Sequence, residues 1–179
     1  MKTKLFFALI LVAFLVAPLW AKGPNGPSTS SGLTDIEKAS ILYLFEEEKL
    51  ARDIYEEMHE LYGAYIFDKI RESEQRHMDS VEKLITKYVL DDEGVLDLKE
   101  ISGSFVNEDI QALYSELYTK RTLSLTSALE VGVEIEKTDI GDIQSMLPPE
   151  TDKADIIRVL NNLLEGSYNH LDAFESQFN

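Results

Sequence analysis

Between Phe67 and Tyr88 the chain reads FDKIRESEQRHMDSVEKLITKY, with Phe67, Ile70, Met78, Val81, Leu84, Ile85 and Tyr88 recurring at three- and four-residue spacing. That period gives a helix with one apolar face. Glu74 and His77 fall on the same face, one turn apart and pointing the same way. A carboxylate and an imidazole directed into a core are costly to bury without compensation. A bound metal ion compensates both at once. Taken alone, so short a spacing also fits a histidine satisfied by a core hydrogen bond. The matter turns on whether other helices supply matching groups.

Three further long helices are predicted. Thr34 caps the first, with Glu37 completing a capping box, and the helix runs from about Asp35 to Tyr62 before Gly63 ends it. Its inward face carries Ile36, Leu44, Leu50, Ala51, Ile54, Tyr55, Met58 and Leu61. The run Glu46-Glu47-Glu48 cannot lie wholly outside a 3.6-residue repeat: Glu47 and Glu48 border the apolar face, and Glu46 points away. After Leu90-Asp91-Asp92-Glu93-Gly94 a long irregular crossover is expected, followed by a short helix at about Glu108–Tyr118 capped by Asn107.

The third main helix begins at Ser124 or Thr126 and ends near Met146, before Pro148-Pro149. Leu125, Leu129, Gly132, Val133, Glu136, Ile140 and Ile143 form its inward line, with Glu136 squarely on it. The fourth, capped by Thr151 or Asp152, spans about Lys153 to Phe178. It turns Ile156, Leu160, Leu163, Ser167, His170, Leu171, Phe174 and Phe178 inward. No strand-period alternation is found. The expected fold is all-α, two helix pairs joined by one long crossover in a four-helix bundle.

The 179 residues are 44% hydrophobic and 28% charged, which suits one domain with its own core. A formal net charge of −16 argues against nucleic acid or anionic membrane as a partner. The chain has no cysteine, which excludes disulfides, thiolate metal sites and iron–sulfur clusters. Residues 1–21 have the form of a signal peptide. Lys2 and Lys4 precede the apolar run Leu5 to Val16, and Trp20-Ala21-Lys22 reads as a cleavage site after Ala21, although Leu19 is bulkier than the residue usual there. The expected location is therefore secreted or periplasmic, with no membrane attachment after cleavage. Residues 22–32, KGPNGPSTSSG, read as a flexible linker, and 33–179 as the bundle domain.

Four helices thus direct ligand-type groups at one core: Glu47 or Glu48, the Glu74/His77 pair, Glu136, and His170. Hard carboxylates with imidazoles suit iron, manganese or zinc. The runs carrying them resemble rubrerythrin-type proteins of the ferritin-like superfamily. Glu48-Lys-Leu-Ala-Arg-Asp-Ile-Tyr55 is similar to their first-helix Glu-x-x-Ala-Arg-x-x-Tyr, which favours Glu48 over Glu47 as ligand. Ser73-Glu74-Gln-Arg-His77, Gly132-Val-Glu-Ile-Glu136-Lys and Asn169-His170-Leu-Asp-Ala-Phe174 resemble the other three ligand runs. The phrases EEEKLARDIY, SEQRHM, ALEVGVEIE and GSYNHLDAF look like a ferritin-like branch known only as a domain of unknown function.

The resemblance spans about Leu33 to Phe178. It implies metal ligation by Glu48, Glu74, His77, Glu136 and His170 around two iron or manganese ions, zinc being an alternative, with oxygen or peroxide as substrate. Two departures stand out: Ser167 and Val133 occupy positions where rubrerythrins carry Glu. An acid that would bridge two metals is missing. Without cysteine there is also no rubredoxin-like electron-transfer module. A ferroxidase- or peroxidase-type oxidoreductase is the first functional expectation. A metal-sequestering module and a metal-free interaction bundle are the alternatives. Bundles of this type often pair through helix faces, so a homodimer fits the reading.

Overall fold

Thr34 opens the first helix as its sequence predicts: its hydroxyl accepts the Glu37 amide at 3.1 Å, and the Glu37 carboxylate accepts the Thr34 amide at 2.8 Å. A computed structural model describes residues 32–91, 94–148 and 150–178. The expected signal peptide and nearly all of the expected linker lie outside these residues. Among them the chain is all-helical, with no strand: α1 (Asp35–Tyr62), α2 (Tyr65–Tyr88), α3 (Glu108–Lys120), α4 (Leu125–Met146) and α5 (Ala154–Glu175). Single 3₁₀ turns stand at Leu96–Leu98 and Ser176–Phe178. No helix among the described residues is long and apolar enough to cross a membrane.

The helix ends follow their capping chemistry. Gly63, at φ 64°, closes α1 with its amide on His59 O; Asn107 and Ser124 accept first-turn amides of α3 and α4. Thr151 does not cap α5 as expected. Lys153 occupies that position, while Thr151 Oγ1 accepts the Lys153 amide and donates to Glu37 at 2.8 Å, tying the start of α5 to the start of α1. α2 begins at Tyr65, two residues before the apolar repeat.

α1 pairs with α2 and α4 with α5; α1 also packs on α4 and α2 on α5, which closes a ring, and α3 leans on α1 and α4. The apolar core is split in two. One cluster gathers Leu50, Ile54, Tyr55, Phe67, Ile70, Ile110, Leu117, Ile135 and Phe174. The other gathers Leu44, Phe45, Met78, Val81, Ile85, Ile143, Ile156, Leu160 and Leu163. In each of the four long helices the residues between these clusters are the polar ones: 46–49, 74–77, 136–139 and 167–170.

Several inward assignments are corrected at the helix ends. Ile36, Leu61, Leu125 and Phe178 are exposed, because the neighbouring helices no longer cover those turns. Ala128, Val131 and Ile135 are buried beyond the predicted line, because α4 is covered by α3 as well as by α1 and α5.

Glu46 does point away from the helix-lined interior, yet it is not solvated. It is buried, accepting the amides of Val106 and Asn107 where the crossover enters α3. Lys49, Arg52 and Asp53 extend that clamp. Lys49 Nζ donates to Asp53 (2.6 Å) and to the Ile101 carbonyl (2.8 Å). Arg52 donates to Asp53, Gln75 and the Lys99 carbonyl. Asp53 also accepts the Gly103 amide. The charged run of α1 is therefore buried on two sides, one facing the crossover and the other the polar layer.

Candidate metal centre

All five sequence-predicted ligands, Glu48, Glu74, His77, Glu136 and His170, are buried, and the structure brings them together. Glu74 lies at the middle. Its Oε2 is 2.8 Å from His77 Nδ1 and its Oε1 is 2.8 Å from His170 Nδ1. Glu48 Oε2 stands 3.2 Å from His77 Nδ1, and Glu136 Oε2 stands 3.5 Å from His170 Nδ1. The arrangement is thus nearly two-fold: one imidazole and one terminal carboxylate on each side of a shared one. The two rings stack, their centroids 5.4 Å apart. Glu74, His77 and His170 each offer an atom within 4.8 Å of the others, close enough to hold one ion.

The neighbouring sequence sets this geometry. Gly166 on α5 makes room for the His77 ring; a Cβ there would lie 2.5 Å from its Cε1. Tyr55, fully buried on α1, donates to Glu136 Oε1 at 2.6 Å and fixes the carboxylate's orientation across the interior.

Two further acids join the layer. Glu47, the alternative to Glu48 in the sequence, is buried beside it. Asp139 was not singled out by sequence reasoning. It lies one turn beyond Glu136, half-buried as a residue, with Oδ2 2.5 Å from Ser167 Oγ. The spacing Glu136-x-x-Asp139 repeats that of Glu74-x-x-His77, and this was the signal available for it.

Burial and proximity shape the charges. Burial alone pulls the His77 and His170 imidazoles down. The carboxylates of Glu48 and Glu74 on one, and of Glu136 and Glu74 on the other, reverse this and raise them to about 11 and about 10. Glu74 is pushed up by burial, but its two imidazoles outweigh that and hold it well below the ordinary range. Burial, then the negative charge of Glu74, raises Glu136 to about 8. Burial raises Asp139 to about 7 against the hydrogen bond from Ser167. Glu47 and Glu48 are both raised, chiefly by burial and then by Asp139. A layer of acids at this depth without a cation holds protons.

The donor set fits metal ions. Buried Glu48 Oε1, Glu47 Oε2, Asp139 Oδ1 and His170 Nδ1 have no hydrogen-bond partner. His170 Nδ1 lies 2.8 Å from Glu74 Oε1 but off the line of an ideal hydrogen bond. Ligands held about 2.1 Å from one ion at right angles stand about 3.0 Å apart, near the spacings found around Glu74. Between α1, α3 and α4 a cavity of about 40 Å³ leads to these acids, walled by Leu50, Leu113, Leu117 and Ile135. It has room for about three water molecules.

Fold and site together define an all-helical protein with a carboxylate–histidine cluster buried between two apolar cores. The chain belongs to the family described as Uncharacterized protein domain (DUF2202), whose sequence model matches residues 37–179. It is 40% identical over 148 residues to the uncharacterized protein MJ0754 of Methanocaldococcus jannaschii, covering 82% of this chain and 77% of that protein. The crystal structure of hypothetical protein MJ0754 from Methanococcus jannaschii is similar at a TM-score of 0.75 and 38% identity, over 86% of this chain and 83% of that one.

Proposed function

We propose that this protein is a ferritin-like four-helix bundle with one long crossover, and that its buried layer is a two-metal carboxylate centre, of iron or alternatively manganese, reacting with oxygen or peroxide. The observation that carries this reading is Glu74 between two imidazoles, one oxygen toward each, with Glu48 and Glu136 flanking them. Ferritin-like two-metal proteins use one Glu from each of two helices and Glu-x-x-His from the other two. Here α1 and α4 give the single acids, α2 gives Glu74/His77, and α5 gives His170 with Ser167 in place of the acid.

Glu48 and His77 would hold one ion, Glu136 and His170 the other, and Glu74 both. Iron bound there would supply one-electron redox chemistry toward oxygen or peroxide. The chain's own part is to orient and to exclude. Tyr55 fixes Glu136, Gly166 frees His77 to turn inward, and the narrow cavity beside Leu50, Leu113, Leu117 and Ile135 would limit access to molecules of about the size of oxygen or peroxide. The leader-like N-terminus supports action outside the cytoplasm.

The test is metal content by elemental mass spectrometry, on protein purified without a metal-binding tag, beside His77→Ala/His170→Ala. Near two iron or manganese atoms per chain, lost in the double variant, with oxygen or peroxide consumed after anaerobic ferrous loading, is the expected result. Two metals with no turnover would leave a storage or buffering module. No metal in either protein would reject the centre.

A further inference from the structure

Glu48, Glu74 and Glu136 bring three negative charges to a centre that, with two divalent ions, carries four positive ones. The shortfall traces to α5, where Ser167 stands three residues before His170. We propose that Asp139 supplies the missing carboxylate from α4, as a direct metal ligand, with Ser167 as its positioning residue. The inference rests on the two-metal reading above.

The packing of α4 against α5 is what makes the exchange workable. Asp139 lies one turn after Glu136 and Ser167 one turn before His170. The two helices run antiparallel, so these offsets coincide in depth. The contact is direct: Ser167 Oγ is 2.5 Å from Asp139 Oδ2. An acid at position 167 would extend from the point that the Asp139 carboxylate now abuts.

If Asp139 served only as a partner for Ser167, its second oxygen would need another partner. Oδ1 is closed to solvent and has none. Nor does Ser167 depend on Asp139, because its hydroxyl also reaches the Leu163 carbonyl at 3.0 Å. Buried oxygens without partners are costly and rare in native proteins. Here three of them, on Asp139, Glu48 and Glu47, belong to one layer, in which Asp139 also feels the charge of Glu74 and His77. The Glu48 side chain is almost wholly buried, and its unpartnered oxygen is a second observation that points to a ligand in this layer. With Asp139 ionised, four carboxylates balance two divalent ions.

The experiment titrates cobalt(II) into the metal-free protein under argon. Bound metal per chain is measured by elemental mass spectrometry after gel filtration, and visible absorption reports the coordination. Wild type is compared with Asp139→Asn, which keeps the side chain's shape, with Glu47→Gln, and with the exchange Asp139→Ser/Ser167→Glu. Circular dichroism checks folding.

Two ions per wild-type chain are expected. Asp139→Asn should keep one ion and bind the second at least about tenfold more weakly, and the exchange should restore it by returning an acid to α5. Glu47→Gln should bind both. Two ions bound with unchanged affinity by Asp139→Asn would overturn the assignment and leave the two-metal reading standing. So would loss of the second ion in Glu47→Gln alone. One ion or none in wild type would reject the two-metal reading itself, and this inference with it, before any variant is compared.

Discussion

Gly166 is the residue on which the site's geometry depends most visibly. A glycine in a helix interior weakens that helix by about 1 kcal/mol relative to alanine, so Gly166→Ala should stabilise α5 if the helix alone mattered. A Cβ there would collide with the His77 ring. We therefore expect Gly166→Ala to destabilise the folded protein by about 1–3 kcal/mol and to weaken metal binding, because His77 must turn away from Glu74. Urea unfolding and a metal titration check the two effects; a stabilised variant with unchanged affinity would refute the collision. Gly166 drew no notice in the sequence because the ring it accommodates sits on another helix. Asp139 was hidden for a related reason: exposed Lys137 and Thr138 precede it, and it faces the seam between α4 and α5 away from the centre of the apolar line.

At the scale of elements, the first feature to weigh is the crossover. It is held by side chains of α1 bonded largely to main-chain groups, which have no sequence signature. For that reason Glu46 read only as pointing away from the apolar face and nothing marked Lys49, Arg52 and Asp53 as a clamp, whereas the helix boundaries, read from caps and periodicity, agree with the structure to within about three residues, the end of α5 differing most. Asp53→Ala would leave Lys49 and Arg52 buried with one fewer counter-charge. The expected cost is about 3–5 kcal/mol, with faster hydrogen exchange over residues 99–107. Normal protection there would mean that Glu46, Lys49 and Arg52 secure the segment without Asp53. α2 ends with Val89 at φ 54°, exposed and β-branched in the left-handed region. Relief of that strain should make Val89→Gly more stable by about 0.5–1 kcal/mol in thermal unfolding.

For the whole molecule, the buried layer makes stability depend on pH in a defined direction. His77, His170, Glu136 and Asp139 have folded pKa values above their ordinary ones in the metal-free protein. Each favours the fold fully below its unfolded value, about 4 for the acids and about 6.5 for the imidazoles. That contribution is lost as pH climbs through the folded values, 7–8 for Asp139 and Glu136 and 10–11 for the imidazoles. Glu74, whose value is lowered, acts oppositely and only on acidification. The metal-free protein should therefore lose melting temperature from about pH 5 to pH 9. Metal bound at the proposed centre would take the place of those protons, so the gap between loaded and chelated protein should widen over the same range. Scanning calorimetry with and without chelator measures it; a constant gap would mean that ligand protonation is not coupled to binding.

The division of the interior into two apolar clusters by one polar layer also acts as a key. A residue inserted into or deleted from any of the four long helices would rotate everything beyond it by about 100°. An apolar stripe tolerates part of such a turn, since leucine packs nearly as well beside one apolar neighbour as another. A carboxylate that must meet an imidazole does not. The layer thus fixes sliding and rotation for four helices at one depth, a matching that purely oily helices would leave loose.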